Sequence, residues 1–262
     1  MPNPIFSADD FGLSPAVNEA VERAYREGAL TQASLMVAAP AAADAVTRAR
    51  ELPKLNVGLH LVLVDGDSML GHGALPSITG PDGRFSRDQA ALGVKYFVSP
   101  AARRELAAEI EAQFAAYAAT GLPLHHADAH KHMHLHPTVA KLMIKAGRRH
   151  GLTRLRIPAE PPGVLTRCGE TPTLADRALY AWSRVLRAQA GKLAATEHVF
   201  GIKWSGHMTL ARVRTLLANL PLGSSEIYFH PATNQDGTLR HLMPDYEHEA
   251  ELQTLLTLAN QP

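Results

Sequence analysis

Cysteine is almost missing from this chain. Cys168 stands alone among 262 residues, so no internal disulfide can form and no cysteine zinc knuckle can be built. A reducing compartment such as the cytoplasm fits that usage. An excess of one charge is missing too: 26 Lys and Arg oppose 25 Asp and Glu, a formal net charge of +1. Nucleic-acid binders concentrate basic charge, so that class is set aside. No apolar run is long enough to span a bilayer. Met1-Pro2-Asn3-Pro4 has neither a basic n-region nor an apolar h-region, and no signal peptide is expected. Repeats, low-complexity tracts and interdomain linkers are also absent, so one domain over 1–262 is expected. The rest is ordinary globular composition, 46% hydrophobic and 19% charged.

Strand-like and helix-like segments alternate along that domain. Ile5 to Ala8 reads as a buried strand ending at Asp9-Asp10, with a turn at Phe11-Gly12-Leu13. Ser14 is an N-cap with Pro15 in the first helical position, and that helix stops at Gly28. Further strands are expected at 33–38, 56–63, 155–157 and 226–230. Helices are expected at 41–52, 101–120, from Pro137 to an end between Gly147 and Gly151, and at 174–193, 210–220 and 246–259. The Gly-, Pro- and Ser-rich stretch 65–100 reads as a long, lid-like loop with little regular structure. The alternation predicts an α/β fold with a parallel sheet, open or closed into a barrel. In such folds the C-terminal ends of the strands carry the chemistry.

Histidine is what the chain has in abundance. Six fall within twelve residues, at His125, His126, His130, His132, His134 and His136, with Asp128 among them. In a strand, residues two apart share a face, so Asp128, His130, His132 and His134 would point one way. Several imidazoles together invite a cation. Three other strand ends add ligand-type residues. Asp9-Asp10 could be a capping pair, but Ser14 already caps. Two carboxylates can instead divide labour, one on a metal and one taking a proton from water. His60 could be a hydrogen-bonded core residue, yet the adjacent Gly58 leaves room for another group to approach. His230 ends an apolar strand and could act as a general acid, since its pKa lies near neutrality. A site of two histidines and one carboxylate leaves positions for water and substrate, with the remaining histidines and Asp128 orienting the ligands.

Together these segments resemble the YdjC-like carbohydrate deacetylases, relatives of chitooligosaccharide deacetylase. The matching stretches are Ala8-Asp9-Asp10-Phe11-Gly12-Leu13-Ser14, Gly28-Ala29-Leu30-Thr31, Val57-Gly58-Leu59-His60, Asp128-Ala129-His130-Lys131-His132-Met133-His134 and Phe229-His230-Pro231-Ala232. The runs His130 to Thr138, Trp204-Ser205-Gly206-His207-Met208-Thr209 and His230-Pro231-Ala232-Thr233 look most like the branch associated with hopanoid biosynthesis. The resemblance implies a modified (β/α) TIM-like barrel, often dimeric. It implies one divalent metal ion, zinc or magnesium, held by Asp10, His60 and His130. Two histidines with one carboxylate suit zinc better than magnesium, which prefers oxygen. It further implies Asp9 as general base and His230 as general acid or transition-state contact. Asp128, His132 and His134 fall at motif positions read as orienting or substrate-binding. The expected substrate is an acetylated amino sugar, an N-acetylglucosaminyl hopanoid in the branch reading, which would place the enzyme at the inner face of the membrane. The basic amphipathic helix at 174–193, with Leu179, Trp182 and Leu186 near one side, is an outer barrel helix or a membrane-contact element. Soluble chitooligosaccharides are the alternative substrates.

Three rivals compete with this reading. An amidohydrolase barrel carries a His-x-His pair at its first strand, where this chain has Asp9-Asp10. A ferrous oxygenase also uses two histidines and a carboxylate, but consumes dioxygen and releases no acetate. A metal- or lipid-binding module would bind ligand and catalyse nothing.

Overall fold

The computed structural model describes residues 4–259; the outer ends of the expected domain, 1–3 and 260–262, lie outside the described residues. Strands β1 (Ile5–Phe11), β2 (Gln32–Leu35), β3 (Asn56–Leu61), β4 (Ala127–Ala129), β5 (His198–Phe200) and β6 (Ser225–Phe229) form one sheet in the order β4-β3-β2-β1-β6-β5. Every neighbouring pair is parallel. Between and after them run α1 (Pro15–Arg26), α2 (Ala42–Arg50), α3 (Gly71–Ala74), α4 (Gln89–Val98), α5 (Pro100–Ala119), α6 (Pro137–Arg149), α7 (Pro162–Arg167), α8 (Leu174–Ala190), α9 (Leu210–Leu217), α10 (Gly237–Leu242) and α11 (His248–Leu258).

The two edges of the sheet are joined by residues 153–159. On one side Ala127 N–H donates to the Arg154 carbonyl and Arg156 N–H to the Ala127 carbonyl. On the other, Leu155 N–H donates to the Ala194 carbonyl and Val199 N–H to the Ala159 carbonyl. The strand expected at 155–157 is therefore a linking segment, with single bridges in place of a ladder. Pro158, which cannot donate a ladder bond, follows at once. β5 escaped the sequence reading because three residues are too short to show a period of two.

The strands carry their apolar and polar residues on opposite faces. Ala8, Ala33, Leu35, Leu59, Leu61, Ala127, Ile227 and Phe229 are buried in the main hydrophobic core. Ser7 and Asp9, Gln32 and Ser34, His60, Asp128, and Glu226 and Tyr228 alternate with them and are also buried. These polar residues meet one another inside the barrel, where Ser7 and Gln32 both donate to Glu226, at 2.8 and 3.1 Å. Buried polar groups are costly unless hydrogen-bonded, so the interior is a bonded network.

Helix starts follow local chemistry. Ser14 accepts from Val17 N–H ahead of α1, and Ser99 caps α5 with Pro100 behind it. The 65–100 stretch departs from expectation. It is no structureless loop, because it holds α3 and α4, the latter capped by Asp88, which accepts from Ala91 N–H at 2.9 Å. It packs on the histidine segment: buried Asp65 takes Lys131 Nζ at 2.5 Å and Arg87 Nε at 3.0 Å. α8 is an outer helix. Leu186 is buried, while Trp182 is partly exposed and donates its indole N–H to the Leu135 carbonyl at 2.8 Å.

Candidate metal centre and active site

Asp9 and Asp10 are neighbours in β1 and would point to opposite faces in a regular strand. A bulge changes that. From Ala8↔Ala33 to Phe11↔Leu35, β1 advances three residues while β2 advances two. Asp10 takes the extra step in the left-handed region, φ 63°, which aspartate tolerates better than most residues. Both carboxylates consequently face His60, across the end of the sheet.

The expectation for the histidine segment needs correction. The strand stops at Ala129, and residues 130–135 form a 3-10 turn with Lys131 and His132 at φ 50° and 53°. His130, His132 and His134 do not share one strand face. His130 sits at the start of the turn, its Nδ1 3.0 Å from Asp10 Oδ1. His132 turns to the Tyr228 hydroxyl, 3.0 Å from Nε2. His134 places Nε2 3.1 Å from the Arg156 carbonyl oxygen.

Asp10, His60 and His130 converge. His60 Nε2 lies 3.3 Å from Asp10 Oδ1, and the three residues' donor atoms all lie within 4.8 Å of one another, buried. Asp10 Oδ2 is buried without a hydrogen-bond partner. Burial works against ionising Asp10, but the adjacent His130 and His60 hold its pKa well below the usual carboxylate value. Burial likewise opposes a charge on His60, yet the carboxylates of Asp128, Asp9 and Asp10 outweigh it and push the imidazole up to about 10. A carboxylate oxygen and two imidazole nitrogens converging on one point, with a spare buried oxygen, fit a divalent cation.

Asp128 stands behind His60. The two are paired across β3 and β4, and His60 Nδ1 donates to Asp128 Oδ1 at 2.8 Å. That is the carboxylate–histidine pairing that orients metal ligands.

Arg156 is the residue that sequence reasoning missed. Its guanidinium, almost wholly buried, lies among three carboxylates. Nη1 is 2.7 and 2.8 Å from the two Asp9 oxygens and 2.5 Å from Asp128 Oδ2, and Nε is 2.8 Å from Glu226 Oε1. A signal existed: an arginine flanked by Leu155 and Ile157 in an apolar run needs a buried partner. Asp9 feels burial first, which raises it, then Arg156, which lowers it, then Asp128, which raises it again. The outcome is about 6. Asp128 is held down, chiefly by Arg156 and His60, against its own burial.

His230 follows β6 at the same end. Its backbone N–H donates to Glu251, and its carbonyl accepts from His248 Nδ1 at 2.6 Å. Its ring lies 5.1 Å from Tyr246 and 5.6 Å from Tyr228, with Nδ1 buried and unpartnered. Burial pulls its pKa down to about 3, despite the opposing pull of Asp10.

A sequence model of YdjC-like proteins matches residues 4–260. The chain belongs to the YdjC-like family. Curated relatives include the carbohydrate deacetylases of Brevibacillus brevis, 38% identical over 158 residues, Geobacillus stearothermophilus, 34% over 158, and Vibrio campbellii, 31% over 160. Those alignments take in 60–61% of this YdjC-like chain and 58–59% of the relatives, so the chain matches less than two thirds of their length. A crystal structure of an Enterococcus faecalis V583 protein named for cellobiose-phosphate cleavage superposes with a TM-score of 0.76 at 20% identity, over 97% of this chain and 91% of that one. The likeness establishes a shared fold.

Proposed function

We propose that the protein is a metal-dependent carbohydrate N-deacetylase that hydrolyses the acetamide of an N-acetylglucosamine-containing substrate. The observation that carries this reading is the convergence of Asp10, His60 and His130 beside a second carboxylate, Asp9, clamped by Arg156. Asp10, His60 and His130 would hold the divalent ion, zinc better than magnesium on its donor set. Such an ion polarises an amide carbonyl and acidifies water.

The chain's own residues supply the proton traffic. Asp9, poised at about 6, takes a proton from the attacking water as the oxygen bonds to the acetyl carbon. Arg156 keeps the Asp9 carboxylate in place while it changes charge. The carbon–nitrogen bond then breaks and the same proton passes from Asp9 to the departing amine, leaving acetate and an amino sugar. A group whose pKa lies near working pH can serve in both directions. The neutral state of His230 favours a transition-state contact over a general acid, a neutral N–H donating to developing charge.

A lipid-bearing sugar is the finer reading, and the branch resemblance to hopanoid-associated deacetylases suggests it. A cavity of about 340 Å³ beside the histidine turn is compatible with it, lined by Met133, Leu135 and Leu179 together with Lys131, His132 and His136. Val94, Phe97 and Val98 on α4, and Leu174 and Trp182 on α8, are exposed apolar residues. No helix of the described residues is long and apolar enough to cross a membrane.

Acetate release from an N-acetylglucosaminyl glycolipid and from chitooligosaccharide, each with and without chelator, tests both levels. Chelator-sensitive release from either supports the deacetylase. Preference for the glycolipid supports the lipid reading, and preference for the oligosaccharide rejects it. Ligand binding with no acetate from any acetylated sugar rejects catalysis in favour of a binding module.

A further inference from the structure

Behind Asp128 the polar network does not stop; it runs on toward the opposite end of the barrel. Ser34 Oγ lies 2.8 Å from Asp128 Oδ2. His126 Nε2 lies 3.0 Å from Ser34 Oγ. His125 Nδ1 lies 3.1 Å from His126 Nδ1. Ser34 and His126 are buried, whereas His125 reaches a cavity at the N-terminal end of β3, shared with Arg50, Asn56 and Pro123.

The direction of each hydrogen bond is forced. Asp128 Oδ2 lies 2.5 Å from Arg156 Nη1, and a carboxylate ion-paired with a guanidinium only accepts. Ser34 must therefore spend its single hydrogen on Asp128, which leaves only lone pairs for His126. Nε2 of His126 must then carry the proton. Burial keeps His126 neutral, with a pKa of about 3, so its Nδ1 has no proton and accepts from His125. At the other end, Asp128 Oδ1 accepts from His60 Nδ1, which turns His60 Nε2 toward Asp10.

A space is kept for His126. A Cβ at Gly58 would lie 2.4 Å from the imidazole atoms of His126, closer than any side chain tolerates. Gly58 is also paired with Ser34 across β2 and β3. The glycine that leaves room beside His60 in the sequence admits this ring.

We propose that His126 and Ser34 are positioning residues for the metal centre: the bonded series His125–His126–Ser34–Asp128 locks His60 in the orientation that presents Nε2 beside Asp10. This rests on the metal reading above. Outer-shell partners of this kind are worth about 10–100-fold in metal affinity.

The test is Zn2+ affinity by chelator competition, with the visible spectrum of the Co2+ form as a second readout, for the wild type, Ser34→Ala, His126→Phe, His126→Gln and Asp10→Ala. Ser34→Ala removes one oxygen and leaves the fold in place, so the test survives if His126→Phe does not fold. The expected results are binding weakened about 10–100-fold and altered Co2+ bands in Ser34→Ala and His126→Phe. His126→Gln, whose amide can donate to Ser34, retains most affinity. Nitrogen-15 shifts of the metal-free protein should show His126 protonated at Nε2. Loss of Zn2+ in Asp10→Ala together with Ser34→Ala binding within about twofold of wild type overturns the positioning role alone, as does a His126 proton on Nδ1. Equal binding by wild type and Asp10→Ala overturns the metal reading and takes this proposal with it.

Discussion

Replacing Arg156 with methionine should both destabilise the protein and change how its stability depends on pH. The guanidinium lies within 2.8 Å of oxygens on Asp9, Asp128 and Glu226. Opposite charges about 4 Å apart attract by roughly 4 kcal/mol at an effective dielectric of 20. Three such attractions are largely offset by the cost of burying the cation, and removing one member of a buried ion pair costs about 3–5 kcal/mol net. At roughly 2–4 °C per kcal/mol for a domain approaching this size, Tm should fall by about 6–20 °C. The pH dependence follows from the carboxylates left behind. In the wild type, Asp128 has a depressed pKa, so it stabilises the fold above its unfolded value and loses that contribution only as pH falls through the folded one. Without Arg156, Asp9, already raised to about 6, and its neighbours shift upward. A folded carboxyl with a raised pKa costs stability as pH rises above the unfolded value near 4. The variant's deficit should therefore be largest at pH 8 and narrow toward pH 5. Calorimetry of chelator-treated protein across that range measures it. A Tm within about 2 °C of wild type, or a deficit that does not vary with pH, would refute the placement of Arg156 as the counter-ion of this network.

Three further outcomes are expected. Asp9→Asn should retain bound metal and lose at least about a hundredfold in kcat, the low end of general acid–base catalysis; near-normal acetate release would remove Asp9 from the chemistry. His60→Ala and His130→Ala should each fail to hold Zn2+ through dialysis, and metal analysis showing full retention in either would exclude that residue as a ligand. Gly58→Ala drives a methyl to 2.4 Å from the His126 ring and should cost about 1–3 kcal/mol as overpacking, read as a lowered Tm; an unchanged melt would show that the ring moves freely aside.

Much of the barrel was legible because it is written in local chemistry. Ser14 before Pro15 starts α1, and Ser99 before Pro100 starts α5, since a hydroxyl that meets a free amide N–H needs only its own few residues. Two kinds of element were lost. β5 is too short, at three residues, and α4, though ten residues long, sits in a stretch whose glycines and prolines read as loop. The histidine segment failed for a different reason: periodicity assumed a strand past Ala129, whereas Lys131 and His132 adopt left-handed backbone.

By itself the sequence determined the inventory at the strand ends: Asp9 and Asp10, His60, Asp128 and His130, and His230, spaced along an alternating α/β chain. Their chemistry is intrinsic to the side chains, and their spacing follows from strand and helix lengths. Tertiary structure alone decided how they meet. The bulge brings two adjacent aspartates to one side, the linking segment drives Arg156 between Asp9, Asp128 and Glu226, and Gly58 admits His126 behind Asp128. These contacts join residues up to 147 positions apart, and distance in space across a curled sheet leaves no mark in any local pattern.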